Sequence, residues 1–265
     1  MKRIIVCVKP VPAPKHWGRV SMDPDTMTLR REVIPSIVNP LDKHAIEAGL
    51  SVRDSFGGEV VLLSMAPPSA QPLLREGLAM GADRAVLLSD PVFAGSDTLA
   101  TSLILAAGCR YIGDFDLIFL GNMSIDGSTA QVCSQLAELL GLPNVMHVTG
   151  LSWTNESKVI ITRKIENGFS KLVGIPPLVL SVRKELNKPR YVPFTGILAA
   201  ESKEIRVLSN NDLKIDPSQI GLAGSPTKMA GLEIRRFERK RERLEGSPEE
   251  IVRKLMDKIY QIGVI

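Results

Sequence analysis

The stretch DLIFLGNMSIDGSTAQVCSQLAELLG, Asp116 to Gly141, decides the fold. Its apolar run, Leu117 to Leu120, has the length and composition of a strand buried on both faces. A loop with glycines at Gly121 and Gly127 follows, and Ser128 and Thr129 then stand where a helix N-cap belongs. Val132, Leu136, Leu139 and Leu140 recur at helical spacing, and Gly141 suits the left-handed residue that closes a helix. Strand, small-residue loop and helix N-terminus in that order make an anion site. Unpaired backbone N–H groups and the positive end of the helix dipole converge there.

The same alternation extends on both sides of this stretch. Arg3 to Val8 reads as a buried first strand, and Val11 to Val38 as loop. Short alternating segments around the DPDT turn, Asp23 to Thr26, suggest an excursion hairpin. Asn39-Pro40-Leu41-Asp42 opens a helix, with Asn39 as N-cap, Pro40 at the first helical position and Asp42 in the first turn. Ala45, Ile46, Ala48 and Leu50 form its apolar stripe. Glu59 to Met65 is a second strand, Ser69 to Met80 a helix stopped by Gly81, and Arg84 to Leu88 a third strand. Ser96 caps a longer helix running to Ile112. Beyond the opening stretch, Val145 to Val148 is a strand. Lys158 to Arg163 and Lys171 to Val173 flank a Glu166-Asn167-Gly168 turn as a hairpin, and Leu178 to Val182 is another buried strand. From Glu201 to Pro226 the text is polar and weakly periodic, more arm than core. Ser247-Pro248-Glu249-Glu250 is a capping box opening a final amphipathic helix to Ile262.

This pattern predicts an α/β fold: a mostly parallel, doubly wound sheet with helices on both faces, an added β-hairpin and a C-terminal helical arm. The expected division is a nucleotide-binding domain over 1–200 and an arm over 201–265, with the hairpin at about 151–175. Ligands of such sheets bind at the carboxyl ends of the strands. The loops after Val8, before the Asn39 helix, after Leu63 and after Leu120 therefore matter together.

Composition narrows the function. At 265 residues and 44% hydrophobic content the chain can bury a sizeable core, while a net charge of +4 is too small to name a partner. No apolar run reaches membrane-span length, and Lys2-Arg3 followed by IIVCV is too short for a signal peptide. Cys7, Cys109 and Cys133 are odd in number, far apart and set in apolar surroundings, which reads as buried thiols in a cytoplasmic protein. His16, His44 and His147 have no metal-ligand spacing, and without a G-x-S-x-G elbow Ser124 and Ser128 are poor nucleophiles. The glycine loop is one residue too long for a P-loop and no lysine follows Gly127. That argues against triphosphate hydrolysis and leaves a mono- or diphosphate held by backbone N–H groups. Asp126 either accepts from a ribose hydroxyl or braces the loop. The basic run IRRFERKRER, Ile234 to Arg243, reads as a solvated arm or a contact for an acidic partner rather than a nucleic-acid patch. No catalytic residue and no metal site is expected, so any redox chemistry belongs to a bound cofactor.

Five motifs in register resemble one family along nearly the whole chain. VCVKPVP near the start, VNPLDKHAIEAGL (Val38 to Leu50), LREGLAMGADRAVLL (Leu74 to Leu88), IDGSTAQV (Ile125 to Val132) and RKELNKPRY (Arg183 to Tyr191) are similar to the β subunit of electron-transfer flavoproteins. The resemblance implies a Rossmann-like, adenine-nucleotide-binding subunit paired with a larger, flavin-bearing α subunit. The nucleotide is FAD in the electron-bifurcating form and AMP in the housekeeping form. SDPVFAGSDTLATSLILAA, Ser89 to Ala107, resembles the FAD-bearing form. The implied cofactor contacts are Cys7, Val8, Lys9, Asn39, Pro40, Leu41, Asp42, Ser64 and Met65. They continue through the loop as Gly121, Asn122, Met123, Ser124, Ile125, Asp126, Gly127, Ser128, Thr129, Ala130, Gln131 and Val132. Gly127 is the position where a side chain would crowd the nucleotide. The implied partner-recognition residues are Pro189, Arg190, Tyr191 and Phe194. The implied electron route joins NADH, the FAD of this subunit, a low-potential acceptor such as ferredoxin or flavodoxin, and the α-subunit flavin. That flavin would serve an acyl-CoA dehydrogenase-type or quinone-linked partner. The chain departs from the family's usual GRQAIDGDTAQVGP at Asn122, Met123, Ser124, Ser128, Cys133 and Ser134, losing a cation at 122 and a carboxylate at 128. Two other readings are an AMP-binding, structural β subunit and a stand-alone universal-stress-type ATP/AMP-binding protein. The hairpin, recognition segment and long arm argue against the second.

Overall fold

Short apolar runs bounded by glycine, proline and polar turns supply the strands, and the stretches between them supply the helices. A computed structural model describes residues 3–19, 35–154, 158–228 and 241–263. The excursion hairpin expected around Asp23 to Thr26 and most of the basic run from Ile234 fall outside these residues. In chain order the elements are β1 (Arg3–Cys7), β2 (Pro10–Pro12), β3 (Ser36–Val38), α1 (Pro40–Phe56), β4 (Glu59–Met65), α2 (Gln71–Met80) and β5 (Arg84–Leu88). Then come α3 (Thr98–Ile112), β6 (Leu117–Gly121), α4 (Val132–Leu140), β7 (Asn144–Trp153), β8 (Val159–Ile165), β9 (Gly168–Gly174) and β10 (Leu178–Val182). The chain continues with α5 (Phe194–Ser202), β11 (Ile205–Leu208), the single turn α6 (Asn210–Leu213) and α7 (Pro248–Gln261).

One nine-stranded sheet has the order β11-β5-β4-β1-β6-β10-β7-β8-β9. It is parallel from β11 to β7 and antiparallel where β8 and β9 are added, so the expected hairpin forms and extends one edge. From β1 the chain first builds outward through β4 and β5, then returns to lay β6 on the other side of β1. The connecting helices therefore cover opposite faces, and the space between the carboxyl ends of β1 and β6 is a topological switch point. Strand residues alternate between two cores. Ile4, Val6, Leu62, Phe119 and Leu180 face α1 and α2, whereas Ile5, Leu63, Ile118 and Val179 face α3 and α4. Strands buried on both faces need near-continuous Val, Ile and Leu, which is why they were legible as apolar runs.

Two helix starts differ from the expected ones. Asp97, not Ser96, caps α3, its carboxylate accepting from the N–H groups of Leu99 and Ala100 at 3.0 Å each. Ser96 instead donates to the Phe93 carbonyl. α4 starts at Val132 rather than after Ser128 and Thr129, and no side chain caps it. Gly141 closes α4 in the left-handed conformation, as expected.

Residues 201–228, expected as arm, belong to the sheet domain. β11 pairs parallel with β5 at the sheet edge, and Leu208 and Ile220 are buried in the α3 core. Thr227 donates its hydroxyl to Asp97 at 2.6 Å, and Ser225 accepts from the Asp97 N–H at 2.8 Å. The chain accordingly divides into two compact units, Met1–Leu232 and Glu233–Ile265. In the second unit α7 carries the expected capping box, Ser247 with Glu250, and Pro248 at its first turn.

This division makes a prediction. A chain stopped after Leu232 keeps the thermal transition of the sheet domain. A chain stopped after Lys203 is destabilised by about 4 kcal/mol or more, because it gives up two buried aliphatic side chains worth roughly 2 kcal/mol each and unpairs the β5 edge. Thermal and urea melts followed by circular dichroism compare the two; equal stability would place 204–232 outside the fold.

Candidate functional site

The switch point is held closed by one carboxyl group. Asp42, in the first turn of α1, is 5% exposed and accepts three hydrogen bonds. The N–H of Lys9, just past β1, donates to Oδ2 at 2.8 Å; the N–H of Gly121, at the end of β6, donates to Oδ1 at 3.2 Å; and Asn39 Nδ2 donates to Oδ1 at 2.9 Å. Gly121 has to be glycine for this approach, since a Cβ there would lie 2.3 Å from Asp42 Oδ1 and 2.8 Å from the Leu41 carbonyl carbon.

Asn39 occupies the cap position of α1, but its side chain does not cap the helix. It turns toward the 122–131 loop, donating to the Met123 carbonyl at 3.0 Å and accepting from the Ile125 N–H at 3.3 Å. Pro40 has no N–H to leave unpaired, and the Asp42 carboxyl still sits in the positive field of the helix N-terminus. The side chain an isolated helix would use as a cap is thereby free to fix the loop.

The loop is braced internally as well. Lys9 Nζ pairs with Asp126 at 2.7 Å and donates to Ser124 Oγ at 3.3 Å, while the Gly127 N–H donates to Asp126 Oδ1 at 2.7 Å. Asp126 thus takes the bracing role of the two expected for it. Burial alone would raise its carboxyl, but the Lys9 charge and these hydrogen bonds outweigh it and hold Asp126 below the usual carboxylate range. Gly127 itself is not sterically required by the protein, because a Cβ there would make only an ordinary contact with Ser124 Oγ at 3.5 Å.

Past Gly127 the backbone departs from helix geometry. Ser128 and Ala130 have φ of +51° and +54°, costly for residues with a Cβ, and Gln131 returns to the right-handed region. Alternation of hand turns successive N–H groups toward one side and forms an anion-cradling concavity. Among the described residues, the N–H groups of Thr129 to Ser134 have no acceptor. Those at the start of α4 are the donors that every helix leaves unpaired. The first turns of α3 and α4 meet here: Thr98 Oγ1 donates to Gln131 Oε1 at 3.1 Å, and Ser102 Oγ to Gln135 Oε1 at 3.3 Å. Thr98, Ser102 and Gln135 were not singled out from the sequence. The only local signal was the Asp97-Thr98 helix start.

Two buried polar atoms at the strand ends have no hydrogen-bond partner among the described residues: Ser64 Oγ on β4 and Asn122 Oδ1 after β6. A buried polar atom left unpaired costs about 1–3 kcal/mol, so both suit a ligand that hydrogen-bonds. Cys7, Cys109 and Cys133 are free and buried, and burial raises all three thiols, Cys109 and Cys133 up to about 12. The proton therefore stays on sulfur near neutral pH. Among the described residues, no group of His, Cys, Asp and Glu could hold a metal, and no helix is long and apolar enough to cross a membrane.

The residues singled out for the cofactor therefore gather in one place. Cys7 to Lys9, Asn39 to Asp42, Ser64 and Met65, and Gly121 to Val132 occupy the carboxyl ends of β1, β4 and β6 and the start of α1. Pro189, Arg190, Tyr191 and Phe194 lie elsewhere, on a segment bound along α1 through Asn187 to His44 and Arg190 to Glu47.

Comparison with known proteins meets this geometry from another direction. The electron transfer flavoprotein domain matches residues 26–213. The chain is 41% identical over 263 residues to the electron transfer flavoprotein subunit beta of Thermoanaerobacterium thermosaccharolyticum, covering 99% of each. It is 43% identical over 228 residues to the caffeyl-CoA reductase-Etf complex subunit CarD of Acetobacterium woodii, covering 86% of each. It is 40% identical over 274 residues to the acryloyl-CoA reductase electron transfer subunit gamma of Anaerotignum propionicum, covering 99% of this chain and all of that one.

The clasp predicts a pH signature. Burial pushes the Asp42 carboxyl up to about 7, further than the N–H donors of Lys9, Asn39 and Gly121 pull it down. The folded chain thus binds this proton more tightly than the unfolded chain, whose aspartates titrate near about 4. The stabilisation is complete below about 4 and is lost as pH rises through about 7, at no more than about 1.4 kcal/mol per pH unit. Asp42→Asn removes that titration and turns an NH₂ group toward N–H donors, costing about 2 kcal/mol at pH 5. The stability gap between wild type and variant should narrow from pH 5 to pH 8 in urea titrations. A constant gap would show that Asp42 does not titrate there.

Proposed function

The chain belongs to the electron transfer flavoprotein family, and from that premise we propose that it is a β subunit that binds FAD at the clasped crevice. It pairs with a larger α subunit carrying a second FAD. In that complex electrons pass between NADH, a low-potential acceptor such as ferredoxin or flavodoxin, and the α-subunit flavin, in flavin-based electron bifurcation. The observation that carries the reading is the convergence of Lys9, Asn39, Asp42 and the 121–132 loop at the β1/β6 switch point.

The residues fit the group in three respects. The unpaired N–H groups of Thr129 to Ser134, with the helix dipole behind them, would hold the phosphates, and Lys9 supplies a cation at the mouth of the loop. Ser64 Oγ and Asn122 Oδ1 offer buried hydrogen-bonding atoms to the nucleoside. Segment 89–97, which resembles the FAD-bearing form, leads into α3, whose first turn meets Gln131; a ligand longer than AMP would pass along it. A flavin bound there would supply one- and two-electron transfer, which no side chain of this chain supplies. The protein's part is to fix the ligand, keep water from its phosphates and set the local charge.

Two outer surfaces support the partners. Tyr191 and Phe194 are 90% and 73% exposed, beside the half-exposed Ile197 and Leu198, a surface suited to an apolar groove on an acyl-CoA dehydrogenase-type or quinone-linked flavoprotein. Names of relatives that pair with caffeyl-CoA and acryloyl-CoA reductases favour the former. On α7, Val252, Leu255 and Tyr260 are exposed, and the α subunit would cover this stripe.

Co-expression with the α subunit, purification and identification of the nucleotides released on denaturation test the assignment. Two FAD per heterodimer are expected; one FAD and one AMP would make this a structural β subunit. Gly127→Val sharpens the result. The protein has room for a Cβ at 127, so the fold should persist while nucleotide is lost. Full nucleotide occupancy in that variant would move the site elsewhere.

A further inference from the structure

The segment 183–193 has no regular secondary structure, yet it is fixed to α1 by charge and hydrogen bonds. Glu47, buried on α1, receives Arg190 three ways: the backbone N–H at 3.0 Å and Nε at 2.8 Å on Oε2, and Nη2 at 3.1 Å on Oε1. Arg190 Nη2 also reaches Asp54 at 2.9 Å. One helical turn earlier, His44 Nδ1 donates to the carbonyl and side-chain oxygens of Asn187 at 3.1 and 3.0 Å, and Asn187 Nδ2 returns a bond to the His44 carbonyl at 2.9 Å. Leu186 and Val192 pack against the core on the same face. The chain beyond is locked as well, since Lys203 Nζ donates to the carbonyls of Leu78 and Ala82 at the end of α2.

We infer that Glu47 is a positioning residue for partner docking: the Glu47–Arg190 pair holds segment 183–193 on the helix whose first turn closes the nucleotide crevice. Tyr191 and Phe194 are thereby presented in one fixed relation to the cofactor. The inference rests on the docking role proposed above for those two side chains. Its physical basis is preorganisation. An irregular segment that had to be ordered at each encounter would weaken docking by the entropy of ordering it. An Arg fork on a buried carboxylate removes that cost in advance. The fork also makes α1 common to both sites, with Asp42 at the crevice and His44 and Glu47 under the recognition segment.

The test uses the holo-heterodimer with an acyl-CoA dehydrogenase as protein acceptor and ferricenium as an acceptor that needs no docking surface. Glu47→Gln keeps the shape and loses the carboxylate. Arg190→Lys keeps the charge, loses the fork and lies at a partly exposed position, so it carries the test if the first variant assembles poorly. Both should raise KM for the dehydrogenase about tenfold, a loss of roughly 1.4 kcal/mol of docking. They should leave kcat, ferricenium turnover and nucleotide content unchanged, and amide exchange at Leu186 and at position 190, whose N–H groups are hydrogen-bonded, should quicken. Phe194→Ala is the control. If it raises KM and the two anchor variants do not, the positioning inference is overturned and the docking reading stands. If it leaves KM unchanged, the docking reading fails and the inference falls with it. Loss of nucleotide or of ferricenium turnover in both anchor variants would also overturn the inference, showing a general role in stability.

Discussion

The structure depends on a buried aspartate that ties the ends of three segments together. Taken alone, an apolar strand can end and its following loop can wander. Asp42 prevents this at the β1/β6 switch point by accepting from the backbone of Lys9 and Gly121 and from Asn39. A buried carboxyl group is costly unless its hydrogen-bonding capacity is filled. Here that cost enforces the geometry: any displacement of β1, β6 or α1 strips a partner from a group that cannot reach water. The absence of a Cβ at Gly121 is the steric counterpart of the same constraint.

Around this clasp the local rules of helix capping give way. Asn39 leaves α1 uncapped in order to hold the 122–131 loop, and α4 starts late because Ser128 and Ala130 adopt left-handed conformations. Both departures cost stability locally, and the second leaves the N–H groups of Thr129 to Ser134 without an acceptor among the described residues. Backbone strain concentrated beside unpaired donors and orphaned polar atoms is what a preorganised binding loop requires. Away from the clasp, Asp97 caps α3, and Ser247 with Glu250 boxes α7.

The legibility of the sequence follows the same division. Buried strands were readable because both of their faces demand apolar residues, and Gly141 because only one backbone conformation closes that helix. Ser96 and Asp97 are both good caps, and nothing local says that Thr227 would fix the second. β11 was missed because an edge strand with one exposed face carries a weak apolar signal. The residues that gather at the switch point were singled out by sequence, but not what Asp42 does there, since its partners Lys9 and Gly121 lie 33 and 79 positions away in sequence. A cap-forming Asn and a first-turn Asp look identical whether they serve the helix or a distant loop.

The missing phosphate-loop lysine shows how the same chemistry can be supplied from another part of the fold. A P-loop carries its cation on the helix that follows the glycines. Here the cation comes from the strand-end loop of β1, where Lys9 meets Asp126 and Ser124. Lys9 is 41% exposed while Asp126 is largely buried, so the ammonium remains at the mouth of the loop and the carboxylate behind it. Asp126 tempers the ammonium without removing it, so Lys9 would act on a bound phosphate as a partly offset cation. Backbone dipoles would supply the rest, an arrangement that suits a mono- or diphosphate better than a triphosphate, whose added charge needs a metal and a committed lysine. A site built in this way would suit retention of a nucleotide without hydrolysis, as the proposed electron carrier requires.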